Sequence, residues 1–274
     1  VKTILMTGST DGIGLATAER LVRQGHRVLI HGRNPEKLQA TQARLSAATE
    51  RPNVEGHVAD LSRLADVEDL AEAVASRHAR LDVLINNAGV FRVPDPLTDD
   101  GLDVRFAVNT IAPYLLTRRL LPLMAAGARV INLSSAAQAP VDIDALAGRG
   151  RLDDEFSAYA QSKLALTMWS RHLAMTLNDR APAIIAVNPG SLLGSKMVKE
   201  GFGVAGNDLQ IGVDILNRAA LDDAFAHATG QYFDNDAKRF ASPHADALEA
   251  AKCERVVRVI EDVLARLGTP ATGP

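Results

Sequence analysis

Tyr159 and Lys163 are the residues where chemistry would begin. They stand four apart in Ser157-Ala-Tyr-Ala-Gln-Ser-Lys163, at the head of an apolar-periodic run from Leu164 to Leu177. The run predicts a helix, so the two side chains share one face. A phenol beside a fixed ammonium can transfer a proton, because the cation favours phenolate and lowers a pKa of about 10 toward the working range. Taken alone the pair says little, since most Tyr-x-x-x-Lys pairs are surface neighbours. Its meaning depends on the elements that position it.

Short aliphatic and β-branched runs alternate with longer segments of helical spacing. Strands are predicted at Lys2–Thr7, Arg27–His31, Val54–Val58, Val83–Asn86, Arg129–Leu133, Ala183–Val187 and Gln231–Phe233. Helices are predicted at Gly12–Arg23, Pro35–Ala48, Leu64–Arg77, Gly101–Met124, Ala158–Asn178, Leu209–Ala226 and Asp246–Leu267. Strands apolar throughout, separated by helical crossovers, predict an α/β fold. It is a doubly wound parallel sheet of about seven strands with helices on both faces, a single Rossmann-type domain over residues 1–274. Ligands in such a sheet sit beyond the carboxyl ends of the strands.

The informative residues fall at those ends. Strand one runs into Thr7, Gly8, Ser9, Thr10, Asp11, Gly12, Ile13 and Gly14, then a helix. Glycines let the backbone turn tightly and approach a ligand, and the helix N-terminus offers N–H groups to phosphate. The spacing is Gly-x-x-x-Gly-x-Gly rather than the commoner Gly-x-Gly-x-x-Gly. A dinucleotide site is expected here. After strand two come Arg33 and Asn34, with no acidic residue to meet a ribose 2′-hydroxyl. A guanidinium can instead hold a 2′-phosphate, which favours NADP(H) and leaves NAD(H) possible. Asp60, followed by Leu61, can cap the next helix, meet an adenine amine, or both. Strand four ends in Asn86, Asn87, Ala88 and Gly89.

With the glycine turn, Asn-Asn-Ala-Gly and the Tyr159/Lys163 pair in this order, the chain resembles the short-chain dehydrogenase/reductase family from residue 1 to about 235. The resemblance implies a tetrad of Asn109, Ser135, Tyr159 and Lys163. Tyr159 would pass the proton and Ser135 would polarise the substrate oxygen. Lys163 would hold the nicotinamide ribose, and Asn109 would shape its helix around a water of the proton relay. Ser134 points to the other side of the extended chain and is expected to pack or bond locally. The resemblance also implies cofactor contacts from Asn87, Ala88 and Gly89 and from the turn Pro189, Gly190, Ser191 and Leu192, with use of the pro-S hydride. The hydroxyl that usually follows this turn is either Ser195, one residue late, or missing. The interval between Ser135 and Tyr159 is about twice that of many members. The insert, Val141 to Phe156, together with Arg33-Asn34 and Thr229-Gly-Gln-Tyr-Phe233, looks like the retinol dehydrogenase, WW-domain oxidoreductase and protochlorophyllide reductase branch.

Further expectations concern the surroundings of the site. The glycine-rich segment Leu192 to Asn207, with Met197, Val198 and Phe202, reads as a lid over an apolar substrate or as a plain loop. Phe91, Val93 and Pro94 are candidates for the opposite wall, and Met168 and Trp169 for core or subunit contacts. A net charge of −3 over 274 residues gives no polyanion footprint. The single cysteine, Cys253, is expected to be inert, and the seven histidines show no metal-ligand spacing. Neither a leader nor an apolar span is visible, so a cytoplasmic relative of the anchored members is expected. Pairing of Gly101–Met124 and Ala158–Asn178 across a two-fold axis would make it a homodimer or homotetramer. The reading that results is an NADP(H)-dependent interconversion of carbonyl and alcohol on an apolar small molecule. C=C reduction and a cofactor-binding scaffold without turnover are the alternatives.

Overall fold

The computed structural model describes residues 1–49, 53–177 and 181–269, apart from the side chain of Phe202. Its strands are β1 (Thr3–Met6), β2 (Arg27–Gly32), β3 (Val54–Val58), β4 (Val83–Asn86), β5 (Arg129–Leu133), β6 (Ala183–Asn188), β7 (Tyr232–Asp234) and β8 (Arg239–Ala241). They form one sheet in the order β3-β2-β1-β4-β5-β6-β7-β8. The first seven are parallel, and β8 runs antiparallel to β7. The sheet is therefore mixed and eight-stranded. A strand of three residues after a polar turn leaves too short a pattern to be read in the sequence.

The helices are α1 (Gly12–Arg23), α2 (Pro35–Ala47), α3 (Leu64–Arg77), α4 (Val104–Phe106), α5 (Ala112–Leu120), α6 (Ile143–Leu146), α7 (Glu155–Thr176), α8 (Lys196–Phe202), α9 (Gln210–Leu221) and α10 (Ala250–Arg266). Strand residues alternate between two cores, as period-two geometry demands. Leu5, Leu29 and Leu84 join α3, α5, α7 and α10 on one face. Ile4, Met6 and Ile30 join α1, α2 and α9 on the other.

Two helices differ from expectation in ways that matter for the site. The predicted helix Gly101–Met124 is broken: a π-turn, Ala107–Ile111, separates α4 from α5. The helix expected from Ala158 starts at Glu155, because Asp154 caps it, accepting from the Ser157 N–H at 2.7 Å. Its expected end at Asn178 lies outside the described residues. The insert before Tyr159 is thus partly helical, supplying α6 and the first turn of α7. No helix among the described residues is long and apolar enough to cross a membrane.

Candidate active site

Helix α7 packs beside β5 and β6 and carries Tyr159 and Lys163 to the carboxyl edge of the sheet. Lys163 is 5% exposed and its Nζ donates to the Leu133 carbonyl at 2.8 Å. The same Nζ lies 5.7 Å from the centre of the Tyr159 ring. Tyr159 is half-buried, its hydroxyl bonded with the side chain of Ser135. A Cβ built on Gly89 would lie 3.4 Å from Lys163 Nζ and 3.3 Å from Asn109 Oδ1. The end of β4, the π-turn and α7 therefore converge at one point, and glycine leaves it open.

Asn109 sits in the π-turn and ties two segments together. Its Nδ2 donates to the Val90 carbonyl (2.9 Å) and to Ser162 Oγ (3.0 Å), and its Oδ1 accepts from the Val90 N–H (2.8 Å). Pro113 has no N–H to give the Asn109 carbonyl four residues back, so regular α-bonding is interrupted beside this residue. Ser135 Oγ accepts from the Ala137 N–H (3.0 Å). The Ser135 carbonyl accepts from Gln138 Nε2 (3.0 Å) and from the Tyr232 hydroxyl (3.1 Å). Ser134 is buried against Thr167 Oγ1 at 2.7 Å, a local bond as expected.

The electrostatics correct one expectation. Burial pushes the Tyr159 hydroxyl above its usual pKa, and the bond with Ser135 opposes this only in part. The phenol is therefore protonated at neutral pH rather than poised as phenolate. Burial also pushes Lys163 down, to about 8. No carboxylate raises it, so the ammonium is held in a site short of negative charge.

The glycine turn closes against β2 and β4. Gly8 (φ +63°) and Gly12 (φ +51°) occupy the left-handed region. A Cβ on Gly14 would run into the Gly8 carbonyl and lie 2.6 Å from Asn87 Nδ2. Asn87 Nδ2 donates to the carbonyls of Thr7 and Gly8, both at 2.9 Å. Thr7 Oγ1 accepts from the N–H groups of Asn87 and Ala88, both at 3.1 Å. Ser9 Oγ donates to the Met6 carbonyl at 3.0 Å.

Two residues here escaped the sequence reading. His31 Nδ1 accepts from the Gly8 N–H and Nε2 donates to the Ala59 carbonyl, each at 3.0 Å. Partners that can only donate and only accept fix its tautomer. Burial pushes its pKa down to about 4, so the ring is neutral. A polar residue inside a buried strand was the signal available for it. Lys37 Nζ reaches Asp11 Oδ2 at 2.6 Å and holds that carboxyl below its usual pKa. Arg33, directly after β2, is exposed. Asn34 caps α2, its Oδ1 accepting from the Lys37 N–H at 2.8 Å. Asp60 caps no helix; its Oδ1 accepts from the N–H and hydroxyl of Ser62 (3.0 and 2.7 Å), while Leu61 is buried.

After β6 the chain bends through Pro189, Gly190 (φ +122°), Ser191 and Leu192 (φ +50°). The following segment is stapled at its base by Gly194 N–H to Asn207 O (2.7 Å) and Asn207 N–H to Leu192 O (2.6 Å). It contains α8, which its glycines concealed. Ser195 caps α8, accepting from the Val198 N–H at 3.3 Å. Gly201 lies flush against the Phe91 ring, and Met197 Cε is 3.9 Å from the Cβ position of Gly89. Phe91 stacks obliquely on Tyr159 (5.1 Å) and edge-on to Phe156 (6.3 Å). Val93 is half-buried and Pro94 exposed. Met168 and Trp169 are core residues. A cleft of about 520 Å³ opens between α1 and α8, bordered by Asp11, Gly12, Ser195, Lys196 and Lys199.

A dinucleotide fits these residues. The glycine turn has backbone where a side chain would clash, it opens onto the first turn of a 12-residue helix, and a buried cation without a carboxylate waits at the far end. Comparison with known proteins agrees. Residues 2–202 match the family model described as short chain dehydrogenase. Human retinol dehydrogenase 13 is 30% identical over 269 residues, covering 92% of this chain and 81% of that protein. Human polyprenol dehydrogenase is 35% identical over 196 residues, 68% of this chain and 59% of that protein. The crystal structure of a short chain dehydrogenase from Burkholderia cenocepacia J2315 in complex with NADP superposes with a TM-score of 0.68 at 27% identity, covering 85% and 95% of the two chains. Fold, strand-end motifs and family match lead to one conclusion: the chain belongs to the short-chain dehydrogenase family.

Proposed function

We propose that the protein is an NADP(H)-dependent oxidoreductase that interconverts a carbonyl and an alcohol on an apolar small molecule. The observation that carries this reading is the Tyr159 hydroxyl, bonded with Ser135, beside the Phe91 ring that also meets the exposed Phe156. The bound dinucleotide would supply or accept the hydride. The chain's own residues would manage the oxygen. A carbonyl oxygen that gains electron density needs donors already in place, and Ser135 Oγ and Tyr159 Oη form such a pair. Tyr159 then gives up its proton as acid in reduction and takes one as base in oxidation. Lys163 stabilises the charge left on the phenolate side, and Asn109 holds α7 to the segment after β4. The aromatic rings favour an apolar substrate, consistent with relatives named for retinol and polyprenol. Preference for NADP(H) is supported by Arg33 at the end of β2, where an acidic residue would serve NAD(H), and by the NADP-bound neighbour.

The test pairs two variants. Tyr159→Phe is expected to lose turnover by a factor of 10³ or so while NADPH binding, followed by equilibrium dialysis, persists; retained turnover refutes the acid. Arg33→Asp is expected to weaken NADPH about 100-fold and leave NADH nearly unchanged, the loss of a charge-assisted phosphate contact. Equal effects on the two cofactors would remove the 2′-phosphate assignment.

A further inference from the structure

We infer that Asp236, in the turn between β7 and β8, is the positioning residue of the Pro189–Leu192 bend and, through that bend at the carboxyl edge of the sheet, sets the affinity for cofactor. The inference rests on the dinucleotide reading above.

The bend lies at the carboxyl end of β6, next to the end of β5 that carries Ser135. Three residues beyond it, the Cβ of Ser195 is 3.8 Å from the place a side chain on Gly12 would take. The segment from the bend to Ser195 therefore spans the sheet edge from the Ser135 side to the glycine turn. The bend does not hold its own shape. Leu192 has φ +50°, a left-handed conformation that a leucine side chain disfavours. Something outside must fix it: Asn207 holds its C-terminal side, donating from its N–H to the Leu192 carbonyl (2.6 Å) and from Nδ2 to the Ser191 carbonyl (3.0 Å), and the turn between β7 and β8 holds the rest.

Both oxygens of Asp236 are engaged. Oδ1 accepts from the Ser191 N–H at 2.9 Å. Oδ2 accepts from the Ser191 hydroxyl at 2.6 Å and from Asn188 Nδ2 at 2.9 Å. Asn188 is only 1% exposed, and it shares that amide with Asp234 Oδ1 (2.9 Å) while its own Oδ1 accepts from the Gly190 N–H (3.2 Å). Asn235 completes the seam. Its Nδ2 donates to the Pro189 carbonyl (2.9 Å) and to the Ile211 carbonyl (3.3 Å), and its N–H donates to the Asn188 carbonyl (3.2 Å). Asn188, Pro189 and Ser191 are thus tied directly to the β7–β8 hairpin, and Gly190 through Asn188. The same hairpin reaches Ser135 through the Tyr232 hydroxyl. The short antiparallel β8 is what closes this turn, with Lys238 also left-handed (φ +54°). A carboxylate suits the position because Ser191 offers two donors side by side. An amide there would turn an N–H toward one of them.

The experiment compares wild type, Asp236→Asn and Ser191→Ala, using amide hydrogen exchange of the free protein and steady-state kinetics with NADPH and NADH. For Asp236→Asn, exchange across residues 190–194 is expected to rise at least tenfold. The KM for cofactor should rise about tenfold while kcat at saturating cofactor stays within twofold. Ser191→Ala, which removes one of the two donors, should give a smaller change in the same direction. The melting temperature should move little, because Asp236 is exposed. Unchanged exchange in Asp236→Asn overturns the clamp. Faster exchange with an unchanged cofactor KM overturns its link to the cofactor. A fall in kcat with no change in KM for the cofactor also overturns that link. Failure of wild type to prefer NADPH over NADH would instead count against the cofactor reading, and the exchange measurement would still decide the role of Asp236.

Discussion

Lys163 shows how a residue proposed for the site can be costly to the fold. Its pKa falls from 10.5 to about 8 through burial, which corresponds to about 3 kcal/mol of destabilisation when the group is charged. The sign follows from proton binding. Below pH 8 both folded and unfolded chains carry the charge, and the full penalty applies. Between pH 8 and 10.5 the unfolded chain binds more protons, so stability from this group rises with pH. Above 10.5 the penalty is gone. Lys163→Met should therefore raise the melting temperature of the cofactor-free protein by several degrees at pH 7, with the gain shrinking across pH 8–10.5, while turnover is lost. Thermal unfolding over that pH range measures it, and a destabilised variant at pH 7 would contradict the argument. The residue types at this site were legible in the sequence, Tyr159, Lys163 and Ser135 because they fall at a predicted helix start or strand end, and Asn109, inside the predicted helix Gly101–Met124, only through the family resemblance. Their protonation was not. Spacing placed a cation beside Tyr159, but the depth of burial decides the direction of the shift.

Elements were legible where a run was long and periodic, and illegible where a few residues altered it. Gly101–Met124 has helical spacing throughout, so the π-turn could be anticipated only from Pro113, whose missing N–H breaks the ladder beside Asn109. Helix α8 was hidden for the opposite reason. Gly201 and Gly203 suggest a loop, yet Ser195 caps the start and Gly203 (φ +68°) terminates the helix in a left-handed conformation. Gly201 is needed for the close approach to Phe91 rather than for flexibility. His31 and Asp236 stayed unread because their partners lie on other elements, a relation that one-dimensional spacing cannot display. The π-turn carries a prediction at this scale. Asn109 makes three bonds to Val90 and Ser162 from a position 1% exposed. Asn109→Ala would leave the Val90 N–H and carbonyl without those partners, so about 2–4 kcal/mol of stability should be lost. Denaturant unfolding checks the loss, and a change below about 1 kcal/mol would mean that the segment after β4 is held otherwise.

At the scale of the whole molecule, α10 changes what the rest of the surface can do. Its apolar stripe of Cys253, Val256, Val257, Ile260, Val263 and Leu264 is buried against the core that includes α5 and α7. Tyr114 donates to Glu261 Oε1 at 2.7 Å, and Arg266 Nη2 donates to the Ala147 carbonyl at 3.1 Å, so the helix is fastened near its C-terminal end to both α5 and the insert. The sequence pattern announced this helix but not its destination, and pairing of the two long helices across a two-fold axis was expected instead. In the folded chain every residue from Ala160 to Ser170 of α7 is already buried without a partner, and so is Ala112 to Thr117 of α5. A surface already covered by its own chain has little apolar area left to offer a second copy. The protein should therefore run as a single chain of 29.2 kDa in light scattering at concentrations up to about 100 µM, well above the working range of a stable dimer. Cys253 supplies an internal check, because it is buried on α10 with its thiol pushed up to about 11. If α10 stays docked, thiol reagents should label it only on unfolding. Rapid labelling of the native protein together with twice the single-chain mass would show that α10 leaves α7 and that the exposed faces pair after all.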